Sequence, residues 1–364
     1  MNILEMNTDH LSKEDLIEYK KKISDLIKEA RKSARHNECI LCGSNSGFCD
    51  SHTIPQFCLR NIAWNGKLNS FNTLIDTDIL TKDSGINNAG IFHMICKKCD
   101  GTVFQDYENP QAYENEITHK MLNQMVLKNE LRDIYKHETE IEMYNSSKQI
   151  MLKKIESPYS LFYEKMIDAQ IMARKIDLEE CYDLFEKAKE NMNSDNEWLK
   201  ILSYDILEYV TPVAFQGKIA IITGAKKEVI NNIYSYRKNY KMEYLQLIIL
   251  PLKDKTVIIT FTDASYKRYQ KFEKYIKTLS QEERLNIINK ILFWYAEDYY
   301  LSKHLKDDVL QLMQEVAKTT QDISTIHPVK SFINAMKYFD LRRDVDFPNL
   351  LSKEYAVQTT IQEN

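Results

Sequence analysis

Cys39-Ile40-Leu41-Cys42 and Cys96-Lys97-Lys98-Cys99 are two CxxC pairs separated by 53 residues, positions 43–95. A CxxC loop can present two thiolates to one ion, and two such loops complete the tetrahedral four-sulfur shell that zinc favours. Cys49 and Cys58 lie between the pairs, so six of the seven cysteines fall in or beside this stretch. Six of the eight glycines (Gly43, Gly47, Gly66, Gly85, Gly90 and Gly101) fall there too, which makes it turn-rich and irregular. In a chain with no export signal, clustered cysteines read as metal ligands before disulfides. A redox CxxC, which would follow a strand and open a helix, and an iron–sulfur cluster are the competing readings. A shell closed by four thiolates leaves no open coordination position, so zinc (Zn2+) at Cys39, Cys42, Cys96 and Cys99 would hold the fold rather than catalyse. Cys181, in a helical pattern, reads as a small buried hydrophobe, and Cys49 and Cys58 as core thiols.

Outward from this stretch, 364 residues exceed one hydrophobic core. The expected division is a basic N-terminal helix over 1–35, a zinc-binding module over 36–110, a helical domain with a small antiparallel sheet over 111–352, and a polar, frayed tail over 353–364. The fold class is therefore α+β, a zinc-stabilised module beside a larger, mostly helical domain. Ser12 with Asp15 marks a helix start, and Leu16, Ile23, Leu26 and Ile27 recur at helical spacing. Between Lys20 and Arg35 this helix carries seven Lys or Arg against Asp25 and Glu29, fitting a solvated face or a phosphate contact. Residues 111–208 lack glycine and read as all-helical, with Pro158 opening one helix and Asn193–Glu197 separating two others. Val213–Thr223, Glu243–Leu252 and Thr256–Thr262 read as strands, the last two joined as a hairpin by Lys253-Asp254-Lys255. Ser280 with Glu283 forms a capping-box pattern, after which helices are expected to about Phe339.

Composition excludes several classes. With 43% apolar and 28% charged residues the chain is globular, not disordered. Apolar runs such as Leu247–Leu250 and Val257–Ile259 fall far short of the roughly 20 residues that span a bilayer. The start MNILEMNTDHLSKEDL has no apolar signal region, so the expected location is the cytoplasm. A net charge of -4 gives no global attraction to nucleic acid or membrane, and such binding would need a local basic patch.

Between the CxxC pairs lies Cys49-Asp50-Ser51-His52-Thr53-Ile54-Pro55. A Ser-His-x-Ile-Pro run set between two CxxC pairs, the second followed by Asp100, resembles the HNH endonuclease family and its treble-clef relatives over residues 38–110. The resemblance implies a ββα-metal unit, with His52 as the general base that activates water and the cysteine pairs as a structural zinc site. It also implies a magnesium (Mg2+) or manganese (Mn2+) ion at the scissile phosphate. Many members carry Asp, Glu or His before the motif histidine to ligate that ion, and this chain has Ser51. They often carry Asn about five residues before the second CxxC and His directly after it, where this chain has Ile91 and Asp100. Asp100 is a usable oxygen ligand, and Asp50, Asn87, Asn88, Asp106 and Glu108 are further donors. His52 is open to two other readings, a hydrogen-bond donor that orients the zinc-binding loop or a zinc ligand in place of one cysteine. His93 reads as a surface or packing residue.

Lys226–Lys241 and Tyr266–Lys277 mix basic residues with tyrosine, as nucleic-acid contacts do and as an amphipathic helix covering the sheet also does. Gly217–Lys226 lacks the glycine spacing and the Gly-Lys-Ser/Thr ending of a phosphate loop. The functional expectation is a metal-dependent endonuclease cutting DNA or RNA through His52 and Asp100, by family analogy an effector of bacterial defence against phage. The alternative is a non-catalytic zinc-stabilised module that binds nucleic acid or protein. Self-association and a partner defence protein are both open.

Overall fold

In the computed structural model, which describes residues 12–72, 80–152, 159–192, 196–235, 237, 239–324 and 332–357, the first element is helix α1 (Lys13–Ser33). Ser12 caps it, its hydroxyl accepting the Asp15 amide at 3.1 Å. Ile23, Leu26, Ile27 and Ala30 form its buried stripe, while Lys21, Lys22, Lys28, Arg31, Lys32 and Arg35 stand in solvent. The cysteine-bearing stretch supplies short elements: β1 (Ser51–His52), α2 (Gln56–Ile62), β2 (Lys67–Asn72), β3 (Leu80–Gly85), β4 (Ile91–Phe92) and α3 (Lys97–Val103). Two long helices follow, α4 (His119–Leu152) and α5 (Tyr159–Glu190), packed on each other and covered by the α1 stripe through Met143, Tyr144 and Ile167.

Strands β5 (Leu199–Leu207), β6 (Val213–Ile219), β7 (Leu245–Pro251) and β8 (Thr256–Asp263) come next. After them run α6 (Gln270–Ile276), α7 (Gln281–Tyr295), β9 (Asp298–Leu301), α8 (Asp307–Ser324) and α9 (Phe332–Tyr338). The capping box at the start of α7 is present in both directions between Ser280 and Glu283. The β7–β8 hairpin closes with the Leu252 amide donating to the Lys255 carbonyl at 2.8 Å.

The sheet is larger than expected. Seven strands pair antiparallel in the order β3-β2-β9-β6-β7-β8-β5. Residues 199–207, expected to be helical, form β5, where a register shift between Ile201 and Ser203 breaks the period-two alternation that marks a strand. The four-residue β9 interrupts the expected run of helices, and β2 and β3, polar in sequence, extend the sheet from within the cysteine-bearing stretch. Every residue of β7 and β8 is buried because both faces are covered. Ile248, Leu250, Val257 and Ile259 pack with the cysteine-bearing side and α4, while Leu247, Ile249 and Ile258 pack with α7 and α8. The result is three layers: cysteine module with α4 and α5, sheet, and C-terminal helices. Pro158, Asn193–Asp195 and the tail from 358 lie outside the described residues. Up to Val357 the tail is docked, the Val357 amide donating to the Val210 carbonyl at 2.8 Å.

A helix buried on several sides cannot leave its charges in water, and α4 pairs them instead. Lys128, Glu130 and Lys136 are all buried, and Arg132 reaches Asp298 of β9 at 2.7 Å. Among the described residues no helix is long and apolar enough to cross a membrane.

Candidate functional site

The Cys39–Cys42 turn and the start of α3 bring the four predicted ligands together. Gly43 turns the first loop at φ +73°, a left-handed value that favours glycine, and its amide donates to the Cys39 carbonyl at 2.7 Å. Cys96 is the N-cap of α3, and its sulfur accepts the Cys99 amide at 3.5 Å. Backbone bonds from Ile40 to Met94 and from Lys97 to Gly47 hold one loop against the other. The sulfurs of Cys39, Cys42, Cys96 and Cys99 lie within 4.8 Å of one another, with Cys42 and Cys96 3.7 Å apart.

A tetrahedral zinc with bonds near 2.3 Å sets its sulfurs about 3.8 Å apart, so the shell fits the ion. No disulfide competes, because all seven cysteines are free. The Cys99 amide and neighbouring thiols draw the Cys96 thiol down to about 7, while burial pushes Cys99 up. Four adjacent thiols cannot all ionise unaided, and a bound cation is what lets them do so. Cys58 is fully buried in the core, and Cys49 is a half-buried thiol pushed up to about 11, first by burial and then by Asp100. Neither belongs to the four-sulfur cluster.

The next layer is a two-residue ribbon followed by α3. In it β1 pairs antiparallel with β4, Ser51 opposite Phe92 and His52 opposite Ile91. Both the amide and the hydroxyl of Thr53 donate to the Gly90 carbonyl at 3.0 Å, locking the ribbon's end. His52 is half-buried, and its Nε2 lies 3.3 Å from the Ile86 carbonyl oxygen. A carbonyl only accepts, so Nε2 carries the proton and Nδ1 keeps the lone pair. Burial, reinforced by the Lys128 charge, holds the imidazole below its ordinary pKa of 6.5 despite the Ile86 bond and Asp100. His52 is therefore neutral near pH 7. It is not among the residues clustered with the four cysteines.

Ser51 and Asp100 are joined in a way that sequence spacing does not announce. The buried Ser51 hydroxyl donates to Oδ1 of Asp100 at 2.5 Å, and the Lys128 ammonium donates to the same oxygen at 2.8 Å. Lys128 also lies 3.0 Å from Oε1 of Glu108, to which the Tyr107 hydroxyl donates at 3.3 Å. Of the further donors weighed from sequence, Glu108 joins Asp100. Asp106 instead pairs with Lys120 and Gln124, Asp50 with His93, and Asn87 accepts from Gln56. His93 also stacks on Phe48, a packing role. The carboxylates that a magnesium or manganese ion would draw on are thus each already engaged, through one oxygen, by the Lys128 ammonium. Lys128 is the site residue that sequence reasoning missed, since nothing local marks a buried lysine on a helix 28 positions downstream.

A second cluster sits where α4, α5 and β6 meet. Glu130, Asp133 and Cys181 converge, and Lys218 lies among them, 3.1 Å from the Cys181 sulfur. Cys181 is buried as expected but is a polar contact rather than plain apolar filling. Of the two mixed basic segments, Tyr266–Lys277 contains α6, whose Phe272 and Ile276 are buried together with Tyr269 just before it, while Lys271, Lys274 and Lys277 are exposed. That is an amphipathic helix on the sheet. No protein-family model matches the chain, and no curated protein or solved structure does either.

Proposed function

We propose that the chain hydrolyses nucleic-acid phosphodiesters, with His52 as general base on a zinc-stiffened ribbon-and-helix unit. The observation that carries this reading is the imidazole: half-buried, neutral near pH 7, with Nε2–H committed to Ile86 and Nδ1 left basic. Such a group can take the proton of a water as it attacks phosphorus, a contribution of about 10²–10⁴-fold. Ser51 is fully buried, so it is no nucleophile and serves to tie β1 to Asp100. Asp100 is a positioning residue that fixes the strand carrying His52. Zinc on the four cysteines would supply rigidity and no open coordination position. The order of Cys39, Cys42, His52, Pro55, Cys96, Cys99 and Asp100, with its resemblance to HNH endonucleases, supports the same reaction.

The test is cleavage of plasmid DNA and of RNA by the zinc-loaded protein, beside a His52→Ala variant of matched zinc content. Cleavage should fall by about 100-fold or more in the variant. Equal cleavage by both proteins would sink the mechanism. A role in defence against phage is proposed on the same resemblance, and plaque counts indifferent to His52→Ala would refute it.

The Lys128–Asp100 pair favours a second reading, a non-catalytic zinc-stabilised module that binds nucleic acid, with the exposed basic face of α1 as its phosphate contact. It predicts binding that weakens with salt, survives His52→Ala and is accompanied by no cleavage.

A further inference from the structure

The carboxylates of Asp100 and Glu108 converge on one point, and that point holds the Lys128 ammonium. Its nitrogen lies 2.8 Å from Asp100, 3.0 Å from Glu108 and 4.0 Å from the centroid of the Phe104 ring. An ammonium has three N–H donors and no acceptor, and two carboxylates and a ring face account for all three. Phe92, 5.8 Å away, and the buried Tyr107 complete the wall. The Lys128 side chain is 1% exposed, whereas those of Asp100 and Glu108 are 27% and 29% exposed. The cation is internal and its anions border on solvent.

A divalent ion bound to the same two oxygens at roughly 2.0–2.2 Å would need the volume that the ammonium fills. Magnesium also keeps several of its waters, and the Phe104 and Phe92 rings beside the ammonium offer those waters no lone pairs. Two cations held at this separation repel one another, so ammonium and metal exclude each other.

We propose that Lys128 is a built-in counter-cation in the place a divalent ion would take between Asp100 and Glu108. The protein then binds neither magnesium nor manganese there, and its phosphodiester cleavage needs no added divalent ion. The cleavage half rests on the function proposed above; the binding half stands on the geometry alone. Buried as it is, Lys128 does not touch substrate. It is a positioning residue that acts through Asp100 and Ser51.

The experiment is a manganese titration followed by electron paramagnetic resonance on the zinc-loaded full chain. The proteins are the parent, Asp100→Asn, Lys128→Arg, Lys128→Met and Lys128→Met with Asp100→Asn. Parent, Asp100→Asn and Lys128→Arg should give the same weak surface binding. Lys128→Met should gain one manganese, about tenfold or more tighter than that background, and the double variant should lose it. A parent that binds a manganese removed by Asp100→Asn overturns the proposal, and this comparison does not depend on any Lys128 variant folding. A folded, zinc-replete Lys128→Met that gains no manganese overturns it too. In parallel, His52-dependent cleavage should be unchanged by magnesium in the parent. Strong stimulation by magnesium refutes the lysine's role and leaves His52 standing. Manganese exclusion without any cleavage refutes the reaction and leaves the lysine's role standing.

Discussion

Replacing Lys218 by methionine should cost stability, and the cost should grow with pH. Lys218, on β6, reaches Glu130 and Asp133 of α4 and Cys181 of α5, with a Tyr244 ring 4.8 Å from its nitrogen. The Glu130 side chain has no exposed surface, and burial raises its carboxyl from 4.5 to about 7 against the pull of Lys218. In the folded parent Glu130 holds a proton up to about pH 7 and ionises above it, with the lysine as counter-ion. Burial opposes the lysine's own charge, but the Glu130 and Asp133 carboxylates keep Lys218 protonated through this range. Without the lysine, burial and the Asp133 charge both hold the proton on, and the carboxyl keeps it well beyond pH 7. The folded variant then carries one proton more than the unfolded chain, so its stability falls by ~1.4 kcal/mol per pH unit while the parent's Glu130 contribution levels off. Between about pH 7 and pH 9 the gap should widen by ~2–3 kcal/mol. A pH-independent change is superimposed, in which lost hydrogen bonds are partly offset by no longer burying an ammonium. Urea unfolding of zinc-saturated parent and variant across this range measures the gap. A gap that is flat or narrows with rising pH refutes the reasoning, and adding Glu130→Gln to the variant should abolish the slope.

Three further predictions concern the site. Cys96→Ser removes a thiolate and the cap of α3 together, so zinc affinity should drop by about tenfold or more, read by metal analysis with competing chelator. Gly90→Ala places a methyl at φ +63°, 2.8 Å from the Tyr300 hydroxyl, and should destabilise by about 1–3 kcal/mol in thermal unfolding, with Tyr300→Phe restoring part of the loss. His52 has a folded pKa below its unfolded 6.5, so the folded state binds fewer protons there, and stability falls as pH drops from 6.5 through the folded value. Its basic form persists over the same interval, so the acid limb of the cleavage profile should lie below pH 6.5. A limb at or above 6.5 would count against His52 as the base.

What was legible in the sequence is what short-range chemistry dictates. The CxxC spacing sets two sulfurs on one loop whatever the rest of the chain does, and the four clustered sulfurs agree with it. Ser12 and Ser280 announce helix starts because capping is a contact over three residues. The β7–β8 hairpin is marked by two apolar runs containing β-branched residues and three polar residues between them. Elements decided by distant partners were not legible. The bulge in β5 hides its alternation, and β9 is a strand because β2 and β6 flank it, not because Asp298–Leu301 has a pattern of its own. Tyr266–Lys277 fitted a nucleic-acid contact and an amphipathic helix equally, since basic neighbours are also what such a helix presents to water, and burial of Tyr269, Phe272 and Ile276 matches the helix. Lys128 escaped for the same reason: a lysine paired within the protein is indistinguishable in sequence from one in solvent.

The dependence on distant partners also explains how so small a unit can hold the proposed reaction site. At seven residues α3 is too short to stand alone, and neither ribbon strand exceeds two residues. Their geometry must be imposed from outside. Cys96 and Cys99 pin the first turn of α3 to the Cys39–Cys42 loop, and Asp100, next in the chain, is pinned to Lys128 of the long helix α4. Asp100 in turn holds Ser51, and Ser51 adjoins His52. With zinc on the four sulfurs the imidazole would be positioned by two cations, that ion and the ammonium built into α4, and loss of either should be felt at His52 before it is felt in the sheet. Stripping zinc with a chelator should therefore move the His52 resonances while the amides of β7 and β8 stay protected from exchange, because those strands are buried on both faces by contacts that zinc does not make.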